Sequence, residues 1–479
     1  MITTDSTSMR QEHDALGELS VPATAYYGIH SLRAAHNFPF SGQQIHPEFI
    51  RSFAQVKHAC AQTNMELGYI SKVCGEAIAT ACMEIESGHF HNEIIVNPFQ
   101  GGAGTSTNMN LNEVIANRAN EILGGKRGEY MMIHPIHHVN MHQSTNDTYP
   151  TALKITALNL LMKLETHVSK LQETLQQQEI NFCDIVKVGR TELTDAVPMT
   201  LGMTFGAFAE AVARDRWRIF KSRERLKKVN LGGTAIGTGL GAPREFILKA
   251  TDTLKHIVGL PISRAENMVD ATQNMDSFVE VSGLLKTYAT NLMKISSDLR
   301  LLSSGPVTGI GEITLPPLQA GSSIMAGKIN PVMPEAVTQT ALRVMGNDQT
   351  ITLAAALGQL ELNHLLPLLA HTILESLTLL IGVTRGFAEK CIPGITANRE
   401  RCQDNVEQSG ALATVLVPAL GYSRVERLLA DAKSSKRTIR EEAIIQGFAS
   451  SEVMDKLLSP RRLCKLGFTF DEYCEVKNR

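Results

Sequence analysis

Three polar clusters in this 479-residue chain hold most of the side chains that could do chemistry. The first combines Thr105-Ser106-Thr107-Asn108 with Gln143-Ser144-Thr145-Asn146-Asp147. The second is Gly189-Arg190-Thr191-Glu192-Leu193-Thr194-Asp195. The third is Gly321-Ser322-Ser323-Ile324-Met325-Ala326-Gly327-Lys328-Ile329-Asn330-Pro331. Each sets hydroxyls, amides or a lysine beside a long helical pattern, and such stretches offer hydrogen-bond donors from side chain and backbone alike. Any one of them reads more simply as a turn or a helix cap. Three of them between otherwise uniform helices point to a site.

Several chemistries are disfavoured. The third cluster is not a phosphate loop, which needs four residues between its glycines and Ser or Thr after the lysine; here five residues separate Gly321 from Gly327, and Ile329 follows Lys328. The glycine-rich stretch 232–241 lacks GxGxxG and flanking strand patterns. His134 and His138 have i, i+4 spacing with His137 and His142 close by, but a metal site needs a third ligand and a regular helix, which Pro135 opposes. The crowding reads instead as a polar loop at a subunit junction. Neither a GxSxG elbow nor a Ser/His/Asp order is visible. The eight cysteines show no CxxC and read as reduced, mostly buried thiols. A formal net charge of −2 provides no field to draw nucleic acid or an anionic membrane. The basic run 221–228 alternates with apolar residues, as a solvated helix face does. The first ten residues lack an apolar signal core, and no apolar run reads as membrane-spanning. Neither nucleic acid nor membrane is expected as a partner, and the expected location is the cytoplasm.

The clusters need a scaffold, and helical periodicity supplies one. Helical patterns occupy about 47–87. Residues 88–111 then break the pattern, and the polar stretch 134–147 ends at Pro150. Ala157, Leu160, Leu161, Leu164, Val168 and Leu171 recur at three and four residues, one face of a helix over about 151–181. At 1.5 Å per residue that is roughly 45 Å. Comparable patterns cover about 200–229, 277–303 and 334–390, the last broken near Gly358 and Pro367. Only 5% of the residues are aromatic, which suits a helical core built from Leu, Ala, Ile and Met. Long helices with broad apolar faces form an elongated bundle that needs partners, so a homo-oligomer is expected. After about residue 392 the helical patterns become short and charged.

The third cluster resembles the signature of the fumarase/aspartase superfamily, in the form Gly321-Ser322-Ser323-Ile324-Met325-x-x-Lys328-x-Asn330. Gln143-Ser144-Thr145-Asn146-Asp147 and Gln100-Gly101-Gly102-Ala103-Gly104-Thr105-Ser106 are similar to the aspartase branch rather than to fumarases. The stretches 232–240 (GGTAIGTGL) and 298–306 (DLRLLSSGP) extend the resemblance, which covers residues 12 to about 465. It implies an all-α, three-domain fold: a mostly helical N-terminal domain (1–143), a central long-helix bundle (144–396) and a small C-terminal helical domain (397–479). It also implies a homotetramer with a helical core, each active site drawing its three clusters from three subunits.

The implied reaction removes a proton next to one carboxylate of an aspartate-like succinate and expels the neighbouring amine, giving fumarate and ammonia. Deprotonation piles a second negative charge onto that carboxylate, so the barrier falls only where preorganised donors meet the aci-carboxylate. The resemblance assigns Thr105, Ser144, Thr145 and Ser323 to that carboxylate. It assigns Thr191, Lys328 and Asn330 to the other one and Asn146 to the leaving amine. Ser322 is the implied general base, its alkoxide needing loop amides and nearby positive charge. Gly321 and Gly327 are the expected flexible ends of a closing loop. No cofactor and no metal are implied.

Three departures bear on the substrate. Ala326-Gly327-Lys328 lacks the proline usual in the family's loop, which leaves the loop more flexible. The family's HPNDHVN stretch stands as His134-Pro135-Ile136-His137-His138-Val139-Asn140, so the secondary anion site that fumarases attach to it is not expected. Glu192 replaces the usual His or Gln, and Glu335 matches that residue's carboxylate partner. Two nearby carboxylates raise one another's pKa or attract a cation. L-Aspartate is the first substrate reading. The alternatives are an N-substituted or diamine-derived aspartate, malate, and a non-enzymatic scaffold protein.

Overall fold

The computed structural model describes residues 8–463 and 465–470. The architecture is helical, with four short two-stranded sheets. The helices Thr145–Asn181, Leu201–Ser222, Asp276–Leu302, Val332–Ala356 and Leu366–Gly386 contribute residues to both of two compact units. One unit comprises Met1–Glu165, Arg218–Thr287 and Leu342–Ile381; the other comprises Thr166–Trp217, Tyr288–Ala341 and Gly382–Arg479. The face read from the sequence is buried: Ala157, Leu161, Leu164, Val168 and Leu171 are all inaccessible to solvent. The expected break in 334–390 lies between Ala356 and Leu366, where Asn363 Nδ2 donates to the carbonyls of Ala354 and Ala355.

In the first unit, Pro47–Glu66 packs against Lys72–Glu86 and Arg244–Val258. Phe49, Phe53 and Tyr149 meet edge-on there, with centroids 4.8 and 5.9 Å from the tyrosine. Residues 88–111, expected to be irregular, already contain the first turns of the helix Thr105–Ile122. Hydrophobic periodicity misses it because asparagines are interleaved with Leu111, Val114 and Ile115 among its buried residues. Asn108, Asn110, Asn112, Asn117 and Asn120 are buried, and each amide donates to a partner. Burial of amides is tolerated when they are hydrogen-bonded.

The helix expected from about residue 151 begins at Thr145 and runs for 37 residues, about 55 Å. Ser144 and Asp147 cap the helix start between them. Ser144 Oγ accepts from Asn146 N–H at 3.2 Å, and Asp147 Oδ1 accepts from Ser144 N–H at 3.0 Å. Pro150 then lies inside the helix and removes the donor that Asn146 C=O would receive. Asn230 Nδ2 takes that place at 3.0 Å, so the proline does not stop the helix.

In the second unit, the cluster around Thr191 is a β-hairpin rather than an irregular loop. Val186–Thr191 pairs antiparallel with Thr194–Thr200. Val188 joins the core of the C-terminal helices, among Leu412, Leu416, Leu428 and Leu457. The stretch Leu366–Gly394 is long and apolar enough to cross a membrane, contrary to the sequence expectation, with a mean hydropathy of 1.7. Just over half of its most apolar window is buried inside the protein, as expected of a core helix that is apolar all round. Cys60, Cys82, Cys391 and Cys402 are buried thiols, Cys74 is partly buried and Cys183 is exposed; Cys464 and Cys474 lie outside the described residues.

The last turn of Thr105–Ile122 is held by Glu121, which accepts from Arg118 at 2.6 Å, Arg127 at 2.7 Å and the Tyr26 hydroxyl at 2.8 Å. Partial burial raises the pKa of this carboxyl, but the hydrogen bonds from Arg127, Tyr26 and Arg118 outweigh it and hold the pKa down at about 2, against an ordinary 4.5. A depressed folded-state pKa stabilises above the ordinary value and loses that effect as pH falls through the folded value. Glu121→Gln is therefore expected to lower the melting temperature at pH 7. The difference from the parent protein shrinks as pH is taken from 4.5 toward 2, as read by thermal melts across that range.

Candidate active site

The first cluster surrounds the N-terminus of Thr145–Asn181, where the helix dipole favours an anion. Beneath it lies a buried polar network that the sequence reading did not single out. Lys57 is fully buried and donates to Asn140 Oδ1 at 3.0 Å and to Gln143 Oε1 at 2.9 Å. Asn108 Nδ2 donates to Asn140 Oδ1 at 3.1 Å and to Thr145 Oγ1 at 3.0 Å. Burial pushes the Lys57 ammonium down to about 8, opposed by the neighbouring Cys60 and Asp147. Burial likewise pushes Asp147 up to about 7, against amide donors from Ser144, Thr234 and Gly232 and the charge of Lys57. Asp147 Oδ2 accepts from Gly232 N–H at 3.2 Å and Thr234 N–H at 3.0 Å, which fixes the glycine-rich stretch 232–240 against the helix start. The one signal in the sequence was a lysine, Lys57, on the apolar face of a helical pattern.

Asn146 Nδ2 donates to Ala235 O at 2.7 Å, which leaves its Oδ1 as the atom able to receive an ammonium. Thr105 is exposed at the start of its helix, and its hydroxyl donates to Gly102 O at 2.7 Å. The turn before it is unusual: Gly102, Ala103 and Gly104 all take positive φ (79°, 53° and 96°). A side chain at Gly104 would collide with the Tyr149 ring.

The crowded histidines serve the local backbone. His134 Nδ1 accepts from the N–H groups of Ile136 and His137, and His138 Nδ1 accepts from His134 N–H. Among the described residues no group of three or more His, Cys, Asp or Glu side chains is arranged to hold a metal ion.

Thr191 and Glu192 stand exposed at the tip of the hairpin. Glu192 and Leu193 form its two-residue turn, with φ of 54° and 62°. Positive φ at both positions is the mirror-image turn that matches strand twist, normally filled by Asn and Gly. Two ordinary L-residues there are strained, and such strain concentrates where a side chain is held for use. The hairpin base is anchored by a buried ion cluster. Glu312 is fully buried and meets Arg190 at 2.9 Å, Lys187 at 3.2 Å and Asn405 at 3.2 Å. Glu312 also precedes the segment that leads to residue 321, so one carboxylate ties the hairpin to the chain entering the third cluster.

In that cluster, Ser322 Oγ accepts from two backbone amides, Ile324 N–H at 3.1 Å and Met325 N–H at 2.8 Å. The loop 321–330 is closed at its base: Gly321 N–H donates to Lys328 O at 2.8 Å and Asn330 Nδ2 to Gly321 O at 2.7 Å. Gly321 is therefore not a hinge; a Cβ there would sit 2.5 Å from Lys328 O. Gly327, at φ 79° with open space around it, is the position that needs glycine for its backbone. Ser323 and Lys328 are exposed, and no carboxylate pairs with Lys328 among the described residues. Lys328, Asn330, Arg300, Ser304 and Thr314 line a cavity of about 790 Å³ beside the loop. Glu335 is partly buried in the first turn of Val332–Ala356. Neither its carboxylate nor that of Glu192 has a hydrogen-bond or ion-pair partner among the described residues.

Within this chain, then, Ser144, Thr145 and Asn146 come together with Asn108 and Lys57, while Ser322, Lys328 and Asn330 share one closed loop and Thr191 and Glu192 share a hairpin tip. The Lyase family matches residues 17–346 and the Fumarase C C-terminus family residues 412–465. The aspartate ammonia-lyase of Pseudomonas aeruginosa is 47% identical over 466 residues, covering 95% of this chain and 98% of that protein. A Bacillus aspartate ammonia-lyase is 45% identical over 462 residues, covering 96% of this chain and 99% of that protein. A solved Brucella melitensis structure described as fumarate lyase:delta crystallin has a TM-score of 0.92 at 44% identity, covering 96% of this chain and 100% of that one. The chain belongs to the Lyase family, within the fumarase/aspartase superfamily.

Two substitutions test the geometry. Gly321→Ala forces the base of the loop open and is expected to lower kcat about a hundredfold with the melting temperature little changed; steady-state kinetics and a thermal melt read both. Asp147→Asn turns an NH₂ toward amide donors in a buried site. It is expected to cost about 2–3 kcal/mol of stability in denaturant unfolding.

Proposed function

We propose that this chain catalyses the reversible deamination of L-aspartate to fumarate and ammonia. The observation that carries the reading is Ser322, whose oxygen receives two loop amides in the same loop as an unpaired lysine. An oxygen so placed is stabilised when it carries negative charge, which a serine acting as general base requires. The proton leaves the carbon beside one carboxylate, and the resulting aci-carboxylate is met by fixed donors. Ser144, Thr145, Thr105 and Ser323 are the proposed donors there. Thr191, Lys328 and Asn330 hold the second carboxylate, Lys328 supplying formal charge. Asn146 offers Oδ1 to the departing amine. The aspartate ammonia-lyases that resemble this chain over nearly its whole length support aspartate as the amino acid.

The proposed molecule is a cytoplasmic homotetramer built from domains 1–143, 144–396 and 397–479, with each active site assembled from three subunits. Apolar side chains left exposed on the long helices, including Leu342 and Leu353, support association.

A second reading has one specific observation behind it. Glu192 stands at a strained hairpin tip where the superfamily carries His or Gln, and its carboxylate has no counter-ion among the described residues. A substrate with an additional cationic group, such as a diamine-derived aspartate, would supply one. Fumarate absorbance followed with L-aspartate, malate and N-substituted aspartates separates the readings, together with the reverse reaction against a panel of amines. L-Aspartate is expected to give fumarate, and Ser322→Ala to lower kcat about a hundredfold to ten-thousandfold. Full aspartate activity in Glu192→Gln sinks the second reading, and no fumarate from any succinate derivative sinks both.

A further inference from the structure

We infer that Asn108 is a positioning residue that aims the hydroxyl proton of Thr145 outward, and that buried Lys57 sets this direction. The inference rests on the proposed role of Thr145 in holding the substrate carboxylate. It follows from which groups can only donate and which can only accept.

Lys57 Nζ is an ammonium with donors and no acceptor. It faces Asn140 at 3.0 Å, so the Asn140 atom there must be Oδ1. The opposite end of the same amide agrees, because Asn140 Nδ2 faces the Gln143 carbonyl, an acceptor only, at 3.3 Å. Asn140 is therefore locked in one of its two flips. Asn108 approaches that locked Oδ1 at 3.1 Å and must present Nδ2 to it. Asn112 Nδ2 approaches the same oxygen at 3.2 Å. The second hydrogen of Asn108 Nδ2 points at Thr145 Oγ1, 3.0 Å away. Thr145 Oγ1 is thus an acceptor toward Asn108, and its own proton cannot lie on that line. Among the described residues no protein acceptor takes this proton, although Thr145 is almost fully buried. A chain of fixed amide orientations, starting at one ammonium, converts a freely rotating hydroxyl into an oriented donor at the N-terminus of Thr145–Asn181. Preorganised donors of this kind stabilise developing negative charge without reorganising during the reaction.

Asn108→Asp tests this because it keeps size and shape while replacing the donor by an acceptor. The carboxylate draws the Thr145 proton inward, and Lys57 nearby offers it a counter-charge, so the fold is expected to persist. Asn108→Asp and Thr145→Val are each expected to lower kcat/KM for L-aspartate about tenfold to a hundredfold. The double variant is expected to be no worse than the poorer single variant, because both act through one hydroxyl. A purely structural role for Asn108 would instead give additive losses, which would overturn the inference. So would a parent-like kcat/KM in Asn108→Asp beside an impaired Thr145→Val. Parent-like activity in Thr145→Val overturns the carboxylate role of Thr145 itself and leaves Ser322 chemistry standing. Circular dichroism and thermal melts accompany each variant. If Asn108→Asp does not fold, Asn108→Leu completes the same cycle with the same expected non-additivity.

Discussion

A polar group cut off from water must find its partners within the protein, and at the start of the helix Thr145–Asn181 that requirement governs everything nearby. Lys57 and Asp147 are both fully buried there. Asp147 collects amides from Ser144, Gly232 and Thr234, and so joins the helix cap to the glycine-rich stretch beside it. Lys57 is held by Asn140 and Gln143, and Asn140 in turn receives Asn108 and Asn112. Removing any member leaves another buried and unsatisfied, at a cost of about 1–3 kcal/mol or more for a charge. The helix N-terminus is thus tied to other stretches of the chain, through Asn108, Gly232 and Thr234.

The same donor and acceptor arithmetic runs through the proposed substrate contacts. Ser144 Oγ accepts from Asn146 N–H, Thr145 Oγ1 from Asn108 Nδ2, and Ser322 Oγ from Ile324 and Met325 N–H. In each case the protein occupies the oxygen as an acceptor and the proton is left for another partner. For a carboxylate ligand that is the useful polarity. For Ser322, whose proposed role requires losing its proton, two amide donors lower the cost of doing so. Thr105 is the exception, since its proton is engaged by Gly102 O.

The hairpin and the loop 321–330 are built on a different plan. Their tips are exposed, with Ile324 89% and Leu193 74% accessible, while their bases are fixed by Glu312 and by the Gly321–Lys328 backbone contact. Anchored bases with free tips suit segments that complete a site on binding or on assembly. Membership of the fumarase/aspartase superfamily gives that plan a chemical setting.

The sequence by itself determined the chemistry class and the frame. Apolar residues at three- and four-residue spacing located the long helices because each packs one face in the core, and the Gly-Ser-Ser…Lys…Asn pattern located the loop because its residue types and spacing carry the resemblance. Pro150 pointed to a helix start later than Thr145. Other features had no local signal. The helix Thr105–Ile122 looks like a loop at its start in sequence, since asparagines interrupt its apolar residues and only the tertiary structure reveals the acceptors their Nδ2 groups reach. Pro150 is tolerated only because Asn230, eighty residues away, replaces the lost donor. Gly321 reads as a flexible end until its contact with Lys328 O shows that it is a close approach. Thr145 reads as one more hydroxyl. Its direction depends on Lys57, Asn140 and Asn108, three residues far apart in the chain whose donor and acceptor roles become fixed only when folding removes water from among them.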